Sequence, residues 1–352
     1  MPATYSLPSN ADLSIIAQEY VAPMTMIDPL FAEGFCAVTN ENVDLIEWEQ
    51  EDNYFDLMQP RSLNSEFPSI RRVGLKRYLL APCYYGEHFP IDERDIVTRR
   101  VYGSFGMAEE AAAQIQRGVR TLTTRLVNRM TAAAWNLFAT GTYTATDNTG
   151  ATIYTDSVTL TSQRFSTWSS LSAATPLADF RGLMPLARGK GCLFNQKAVA
   201  FMNSTTLNNL LNNRNTSDLA GKLIYPGGNG GGINATNIND VNNIFGGGDL
   251  PQIRMYDGGY FPSITAAGSG DYRQFTTYIP DNKVVIVGYR PTREPLAKVI
   301  QTRNAQNPNA SPGLFIDAIM PMKPPYSPEV YSGVNFGIAF YYPSNIIIAD
   351  CS

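Results

Sequence analysis

Histidine is almost absent from this chain: His88 is the only one among 352 residues. A Ser-His-Asp triad could draw on one histidine only, and a histidine-rich metal centre could not be built. The sequence therefore predicts neither a catalytic nor a metal-binding residue set. His88 lies in the stretch GEHFPIDERD, among acids and prolines. We expect a structural or surface role for it.

Charged residues are also scarce. Asp, Glu, Lys and Arg make up 16% of the chain, below the roughly 25% of ordinary soluble domains. A shortage of charge is tolerated where neighbouring subunits cover the surface, so it favours obligate assembly. The formal net charge of -4 argues against a generally basic nucleic-acid-binding protein, although a local basic face is compatible with it.

Cysteine pairs and long apolar runs are missing too. The cysteines form no C-x-x-C pair, which argues against zinc and disulfide frameworks and predicts buried free thiols at Cys36, Cys83, Cys192 and Cys351. No run of about 18 apolar residues could cross a bilayer, and residues 1–20 lack the basic start and apolar core of a signal peptide. We expect no membrane partner and a protein made and kept in the cytoplasm.

The glycine-rich stretches do not form nucleotide-binding motifs. GLMPLARGKGC (182–192) has Gly191 where a P-loop needs Ser or Thr after its lysine. YPGGNGGGIN (225–234) follows no clear strand and opens no helix, so neither dinucleotide binding nor any other cofactor is predicted. We expect mobile loops here and at FGGGD (245–249). The residues that make the first loop flexible are Gly227, Gly228, Gly230 and Gly231.

One segment has a clear helical period. In AQIQRGVRTLTTRLVNRMTAAAWNLF (113–138) the apolar stripe consists of Ile115, Val119, Leu122, Leu126, Met130 and Leu137. Glu109 and Glu110 lie where carboxylates favour the start of a helix, and Gly141 supplies a stop. About 30 residues at about 1.5 Å each give a helix near 45 Å long. We expect it to brace an extended structure, with its apolar stripe toward a core.

Residues 61–95 predict a long hairpin or extended loop with little core of its own, because prolines and glycines break its short apolar alternations. It carries Arg61, Arg71, Arg72, Lys76 and Arg77 among its basic residues. The stretch before it (43–58) is acidic and includes Asp44, Glu47, Glu49 and Glu51. Opposite charges on neighbouring segments suit self-association. Strand-like segments follow toward the C-terminus without a fixed repeat, so the pattern predicts an α+β fold.

Several stretches resemble the major capsid proteins of lambda-like tailed bacteriophages in their order and spacing along most of the chain. They are DPLF (28–31), EFPSIRRVGLKRYLLAPCYYGEHFPIDERD with the long helix that ends in GTYTATD (141–147), MYDGGYF, and YIPDNKVVIVGYRPTREPLAKVIQTRN (278–304). The most specific piece is PDN followed by a β run. The resemblance implies the tailed-phage capsid fold of the Hong Kong 97 type.

The resemblance also implies a domain organisation. It places an N-terminal arm at 1–50 and an extended β-hairpin loop at 51–98. It assigns 99–184 and 286–352 to a peripheral domain with a spine helix at 105–140, and 185–285 to an axial domain.

The function that the resemblance implies is a major capsid protein, a structural protein without enzymatic activity. It would assemble with itself, as hexamers and pentamers, into an icosahedral phage head around double-stranded DNA. Portal, scaffold and decoration proteins would be its partners, and it would assemble in the host cytoplasm and stay in the virion. The alternatives are an encapsulin-like compartment, or an α+β enzyme or ligand-binding protein that uses the loops between Gly227 and Gly248.

No Asp or Glu occurs between Glu110 and Asp147, although this segment carries Arg117, Arg120, Arg125 and Arg129. In a shell filled with duplex, about one phosphate charge per 1.7 Å of DNA would repel acids that face the lumen. Alternatively, the arginines pair with acids of a neighbouring subunit, such as those between Asp44 and Asp56. Both hypotheses remain open from the sequence.

Overall fold

The computed structural model describes residues 10–51, 57–58, 60–63, 65–67, 74–92, 94, 111–146, 151–213, 215–216, 238–261, 275–292, 294–319 and 327–352. The chain forms two compact units. The first comprises Met1–Glu47, Leu79–Ala134 and Ala297–Ala339, and the second comprises Trp48–Tyr78, Trp135–Leu296 and Phe340–Ser352.

Both helices and strands occur along the described chain, which confirms the predicted α+β class. The α-helices are α1 Asn10–Ile27, α2 Pro29–Ala32, α3 Ala111–Thr140, α4 Pro176–Arg181, α5 Ser204–Leu211 and α6 Ile238–Gly247. The strands are β1 Cys36–Asn40, β2 Ile46–Glu51, β3 Leu75–Leu80, β4 Cys83–Pro90, β5 Thr142–Thr146, β6 Thr152–Ser157, β7 Thr161–Arg164, β8 Val199–Met202, β9 Gln252–Met255, β10 Gly259–Tyr260, β11 Thr276–Thr277, β12 Lys283–Val287, β13 Ala297–Gln301, β14 Phe315–Ile319, β15 Glu329–Phe340 and β16 Ile346–Asp350.

The first unit is built on a five-stranded sheet in the order β1-β13-β15-β14, with β4 also paired to β15. The central strand β15 is buried from Ser332 onward and pairs antiparallel with β4, from Phe336 opposite Cys83 to Glu329 opposite Pro90. A nearly continuous apolar strand of this kind needs cover on both faces.

Helices α1 and α3 supply cover on one face of this sheet. Their contacts form a core cluster of Leu13, Ala17, Ile91, Ile115, Val119, Leu122, Ile316 and Val330. Gly118 lets α3 approach the sheet closely, because a Cβ at this position would lie 3.0 Å from Phe89 and 3.3 Å from Val330. Full burial of each large aliphatic side chain stabilises the fold by roughly 1.5–3 kcal/mol.

The long helix follows the prediction closely over the residues that the structure describes. It ends at Thr140, and Gly141 takes a φ of +74° beside the Val158 carbonyl, where a Cβ would be only 2.7 Å away. The predicted stripe is buried except at Leu126, which is partly exposed. Residues 105–110, with the predicted opening turn, lie outside the described residues.

The second unit contains a five-stranded sheet in the order β7-β16-β12-β8-β9. Val284, Val285, Ile286 and Val287 of β12 are fully buried between antiparallel β8 and β16. Large aromatic residues pack beside this sheet with ring centroids 4.9–5.9 Å apart: Phe165, Trp168, Phe180 and Phe245. Interlocking aromatic rings contribute heavily to a core.

The PDN stretch fixes the N-terminus of α5. Asn203 caps this helix by accepting from the Thr206 backbone N–H at 2.9 Å, while its own amide donates to Asp281 at 2.5 Å. Asn282, at a φ of +59°, donates its backbone N–H to the Thr206 hydroxyl at 2.9 Å. The most specific piece of the resemblance therefore serves to join a tight turn to a helix start.

The compact units differ from the expected domain boundaries. Residues 10–47 group with the first unit, where Leu13 and Ala17 are buried, and the N-terminal arm at 1–50 stays a prediction. The C-terminal strand β16 lies between β7 and β12 in the second unit, so the segment 340–352 groups with the middle of the chain. Strand β16 is apolar and matches β12 residue for residue, which satisfies the backbone of both.

The expected extended β-hairpin loop at 51–98 lies only partly within the described residues, so its bounds stay a prediction. Strand β3 pairs with β2, whereas β4 pairs with β15. Residues 83–90 therefore belong to a sheet, because their alternating apolar side chains have a buried partner strand available. Among the described helices, none is both long and apolar enough to cross a bilayer.

Candidate functional site

The four arginines of α3 lie on its exposed side in the first unit: Arg117, Arg120, Arg125 and Arg129. At 100° per residue they occupy an arc of about 180° opposite the apolar stripe. Thr121 and Thr124 share this arc and donate their hydroxyls back to the carbonyls of Arg117 and Arg120, at 2.9 and 2.8 Å. The polar side of the helix is therefore basic and hydroxyl-rich, as its sequence indicates.

Strand β4 supplies an acid that pairs with this helix. Arg125 donates from Nε to Glu87 Oε2 at 2.5 Å and from Nη2 to Oε1 at 2.8 Å, which is a two-pronged ion pair. The hydrogen bonds from Arg125 lower the pKa of Glu87, and the charge of Arg129 lowers it further against the opposing effect of burial. The same pair raises the pKa of Arg125. Both side chains remain 49% exposed, so the pair faces solvent.

Glu87 was not predicted as a partner of these arginines. The acids proposed from the sequence were those of a neighbouring subunit, whereas Arg125 has a partner in its own chain, 38 residues away. The signal that could have found it is the alternation in CYYGEHFP, which places Tyr85, Glu87 and Phe89 on one side of the strand. Phe89 contacts the helix at Gly118, so the acid between these residues faces the helix as well.

Aromatic side chains hold two more of the arginines. The Arg129 guanidinium lies 5.7 Å from the ring centre of Tyr85, and that of Arg120 lies 5.4 Å from the ring centre of Tyr20 on α1. Cation–π contacts at exposed sites are worth roughly 0.5–1 kcal/mol. They position the charged groups at the surface without neutralising them.

Several described residues between β2 and β3 expose large apolar side chains. Leu57, Met58, Leu63 and Phe67 are between 81% and 94% exposed. The guanidinium of Arg61 lies 4.1 Å from the Phe67 ring centre and donates to the Ser65 carbonyl at 2.7 Å. Lys76 and Arg77 are exposed on β3, and Arg71 and Arg72 lie outside the described residues. We call the described residues 57–58, 60–63 and 65–67 the apolar loop.

The acidic residues are partly paired within the chain. Asp44 forms an ion pair with Arg303 at 3.5 Å, and Arg303 also donates to Asn42 at 2.6 Å. Glu47 and Glu49 are exposed on the same side of β2. The side chain of Glu51 lies outside the described part.

Both glycine clusters were predicted to be mobile loops, and the structure tests this prediction for the second cluster only. Gly227, Gly228, Gly230 and Gly231 lie outside the described residues, so their flexibility stays a prediction. The FGGGD prediction of a mobile loop was wrong for its first half, because α6 continues through Gly247. Val241, Ile244 and Phe245 are buried at helical spacing, and this burial outweighs the roughly 1 kcal/mol that a helical glycine costs.

The single histidine and the four cysteines form no evident reaction centre. His88 is exposed on β4 and stacks on Tyr331, with ring centres 5.8 Å apart. All four cysteines are buried and free, as predicted. Burial raises the pKa of Cys36 to about 12 and that of Cys192 to about 11. These two thiols therefore stay protonated at neutral pH.

Comparison with known proteins finds relatives in structure but not in sequence. No family model and no curated protein matches the chain. A solved protein described as the capsid protein of a prophage of Escherichia coli CFT073 matches with a TM-score of 0.58 at 12% identity, over 99% of this chain and 100% of that one. A phage-related protein of Bordetella bronchiseptica RB50 matches with a TM-score of 0.53 at 11% identity, over 98% of both chains. At this identity the comparison establishes the fold, which is the Hong Kong 97-type capsid fold that the sequence resemblance implies.

Proposed function

We propose that this chain is the major capsid protein of a tailed bacteriophage or prophage, and that copies of it assemble into a closed icosahedral head. The observation that carries the proposal is the match to a prophage capsid protein over the full length of both chains. A match of this extent leaves little of the chain for an added catalytic domain. The protein acts through its contacts and performs no bond chemistry.

The apolar loop supports assembly independently. Four large apolar side chains that project into solvent are costly in an isolated protein, since burial of each would contribute roughly 1.5–3 kcal/mol. Arg61 lies in the same segment, while the paired strands β2 and β3 carry both acids, Glu47 and Glu49, and bases, Lys76 and Arg77. A neighbouring copy would supply the apolar cover that these four side chains lack. Many such contacts, closed by symmetry, make a durable shell from weak pairs.

The basic side of α3 is proposed to face the packaged DNA. Its arginines are exposed, and two of them stack on aromatic rings that leave their charge available. Contacts of this kind are independent of sequence and sensitive to salt. Portal, scaffold and decoration proteins complete the proposed set of partners, with assembly in the host cytoplasm.

The test is expression of the chain alone, followed by negative-stain microscopy and sedimentation. We expect closed shells, tubes, or discrete hexamers and pentamers. The double variant Leu63→Asp, Phe67→Asp should remain folded and lose these assemblies, because it places charge in the contact. The conservative variant Leu63→Met, Phe67→Leu is the control and should assemble.

A chain that stays monomeric at high concentration, even with a scaffold supplied, would refute the proposal and return attention to a ligand-binding function. The contents of isolated shells distinguish the remaining alternative. Packaged DNA is expected for a phage head, whereas an enclosed enzyme would identify an encapsulin-like compartment.

A further inference from the structure

The ion pair between α3 and β4 has the geometry of a phosphate site that is already occupied. Arg125 and Arg129 lie one helical turn apart and both face β4. Both carboxylate oxygens of Glu87 accept from the Nε and Nη2 groups of Arg125, which we call the fork of Arg125. The positive charge of Arg129 also stabilises the Glu87 carboxylate. The carboxylate therefore binds Arg125 directly, with Arg129 as a second cation one helical turn away.

A phosphodiester uses the same donors. A guanidinium binds two oxygens of a phosphate through two parallel N–H groups, as Nε and Nη2 of Arg125 bind Glu87 here. Because Arg125 and Glu87 are each half exposed, an anion can reach the fork from solvent. Carboxylate and phosphate cannot occupy the fork at once, so they compete.

We propose that Glu87 is an internal mimic of phosphate, which caps Arg125 until the phosphodiester backbone of nucleic acid displaces it. This inference rests on the proposed function, and specifically on α3 facing the packaged genome. In dilute subunits the cap lowers the affinity for stray nucleic acid. Inside a filled shell the concentration of DNA phosphate is high, so the DNA backbone displaces Glu87 from Arg125 by mass action.

A half-exposed ion pair suits this role because water and salt already weaken it. Tyr85 holds Arg129 at 5.7 Å from its ring centre, so this second cation keeps its place when Glu87 moves away. The neighbouring Thr121 and Thr124 hydroxyls bond to the helix backbone and add no charge. Glu87 thus sets how many cations this side of α3 offers.

The first experiment measures binding of a short labelled DNA duplex to unassembled full-length subunits by fluorescence anisotropy across a range of salt concentrations. Glu87→Gln frees one cation, which should tighten binding about 5- to 10-fold at low salt and steepen the log–log salt dependence by about 0.9. Glu49→Gln is the control, since it changes the net charge equally on an exposed strand position. Equal effects of the two variants would overturn the proposal.

The second experiment uses the wild-type protein, so it does not depend on a variant that folds. Carbodiimide labelling of carboxylates, read by mass spectrometry, should modify Glu87 more when duplex DNA is bound, because its carboxylate leaves Arg125. Unchanged or reduced labelling of Glu87 in the DNA complex would contradict displacement. Sodium phosphate at matched ionic strength should leave the labelling unchanged, and equal displacement by free phosphate would overturn the assignment to a polymer.

The two proposals fail in different ways. Failure of the capsid proposal appears as an absence of assemblies in the microscope. Failure of the Glu87 proposal appears as unchanged DNA affinity and labelling in a protein that still forms shells.

Discussion

At the scale of single residues, the pair Lys283 and Asp350 shows how charge secures a strand register. The two residues are directly opposite at one end of β12 and β16, and the Lys283 ammonium donates to the carboxylate at 2.6 Å. The backbone N–H of Ser352 donates to the other carboxylate oxygen at 3.1 Å. These bonds lower the pKa of Asp350 from 3.8 to about 2. The carboxylate is therefore more acidic in the folded protein than in the unfolded chain.

This shift predicts a pH dependence. The folded-state pKa is depressed, so Asp350 stabilises the fold above pH 3.8, and its contribution is lost as the pH falls toward 2. Asp350→Asn should lower the free energy of unfolding by about 1 kcal/mol at neutral pH, a value reduced because the pair is one-third exposed. The difference in the free energy of unfolding between wild type and variant should disappear near pH 2. Urea unfolding of unassembled subunits at several pH values measures it, and a gap that persisted at pH 2 would exclude this ion pair as its source.

At the scale of elements, helix α6 closes an open sheet edge. Strand β9 is the last strand of the second unit's sheet and has a neighbour on one side only in the strand order. The Asn242 side chain of α6 donates to the Ile253 carbonyl at 3.0 Å and accepts from the Ile253 backbone N–H at 2.7 Å. One side-chain amide thus replaces the missing strand at this position. Exposed strand edges invite pairing with other chains, so this contact protects a protein that is present in many copies.

Asn242→Ala should therefore be harmful in two ways. It leaves the Ile253 donor and acceptor unpaired, which should lower the free energy of unfolding by about 1–3 kcal/mol. It also opens the edge to irregular strand addition, so we expect more light scattering from concentrated subunits. Asn243→Ala, at an exposed position of the same helix, is the matched control. If both variants scattered light equally, the edge contact would have no protective role.

The elements also show which parts of the fold a sequence reveals. Helix α3 was predictable because its signals are local: an apolar period, and a glycine at the position that requires positive φ. The place of β16 in its sheet was not predictable from the sequence. Its partners β7 and β12 lie about 185 and 60 residues earlier, and several other apolar strands could have paired with them. The glycines of α6 misled the prediction because tertiary burial overrode local propensity.

At the scale of the whole molecule, the sequence revealed the site's cations but not their partners. The arginines of α3 stand out because acids are absent around them, which is a property of composition. Glu87 could not be assigned to Arg125, because that requires knowing that β4 joins β15 under the helix. The arginines on the basic side of α3 were therefore predictable from the sequence, whereas Glu87, the acid proposed to control access to Arg125, was not.

Two of these arginines provide the final test of what the molecule encloses. Arg117→Gln with Arg120→Gln removes two exposed cations that lie away from the Glu87 pair. If α3 faces the genome, shells should form normally but retain DNA poorly, and the difference from the wild type should be largest at low salt, because the variant makes fewer salt-sensitive phosphate contacts. Electron microscopy measures assembly, and nuclease protection measures the retained DNA.

The control is Arg181→Gln with Arg188→Gln, which changes the charge equally at exposed positions of the second unit and should retain DNA as the wild type does. Failure of the Arg117 and Arg120 variant to assemble would instead mean that these arginines pair with a neighbouring subunit. That outcome would also remove the basis for Glu87 as a mimic of phosphate. The orientation of a single helix therefore decides whether its arginines contact the genome or hold the shell together.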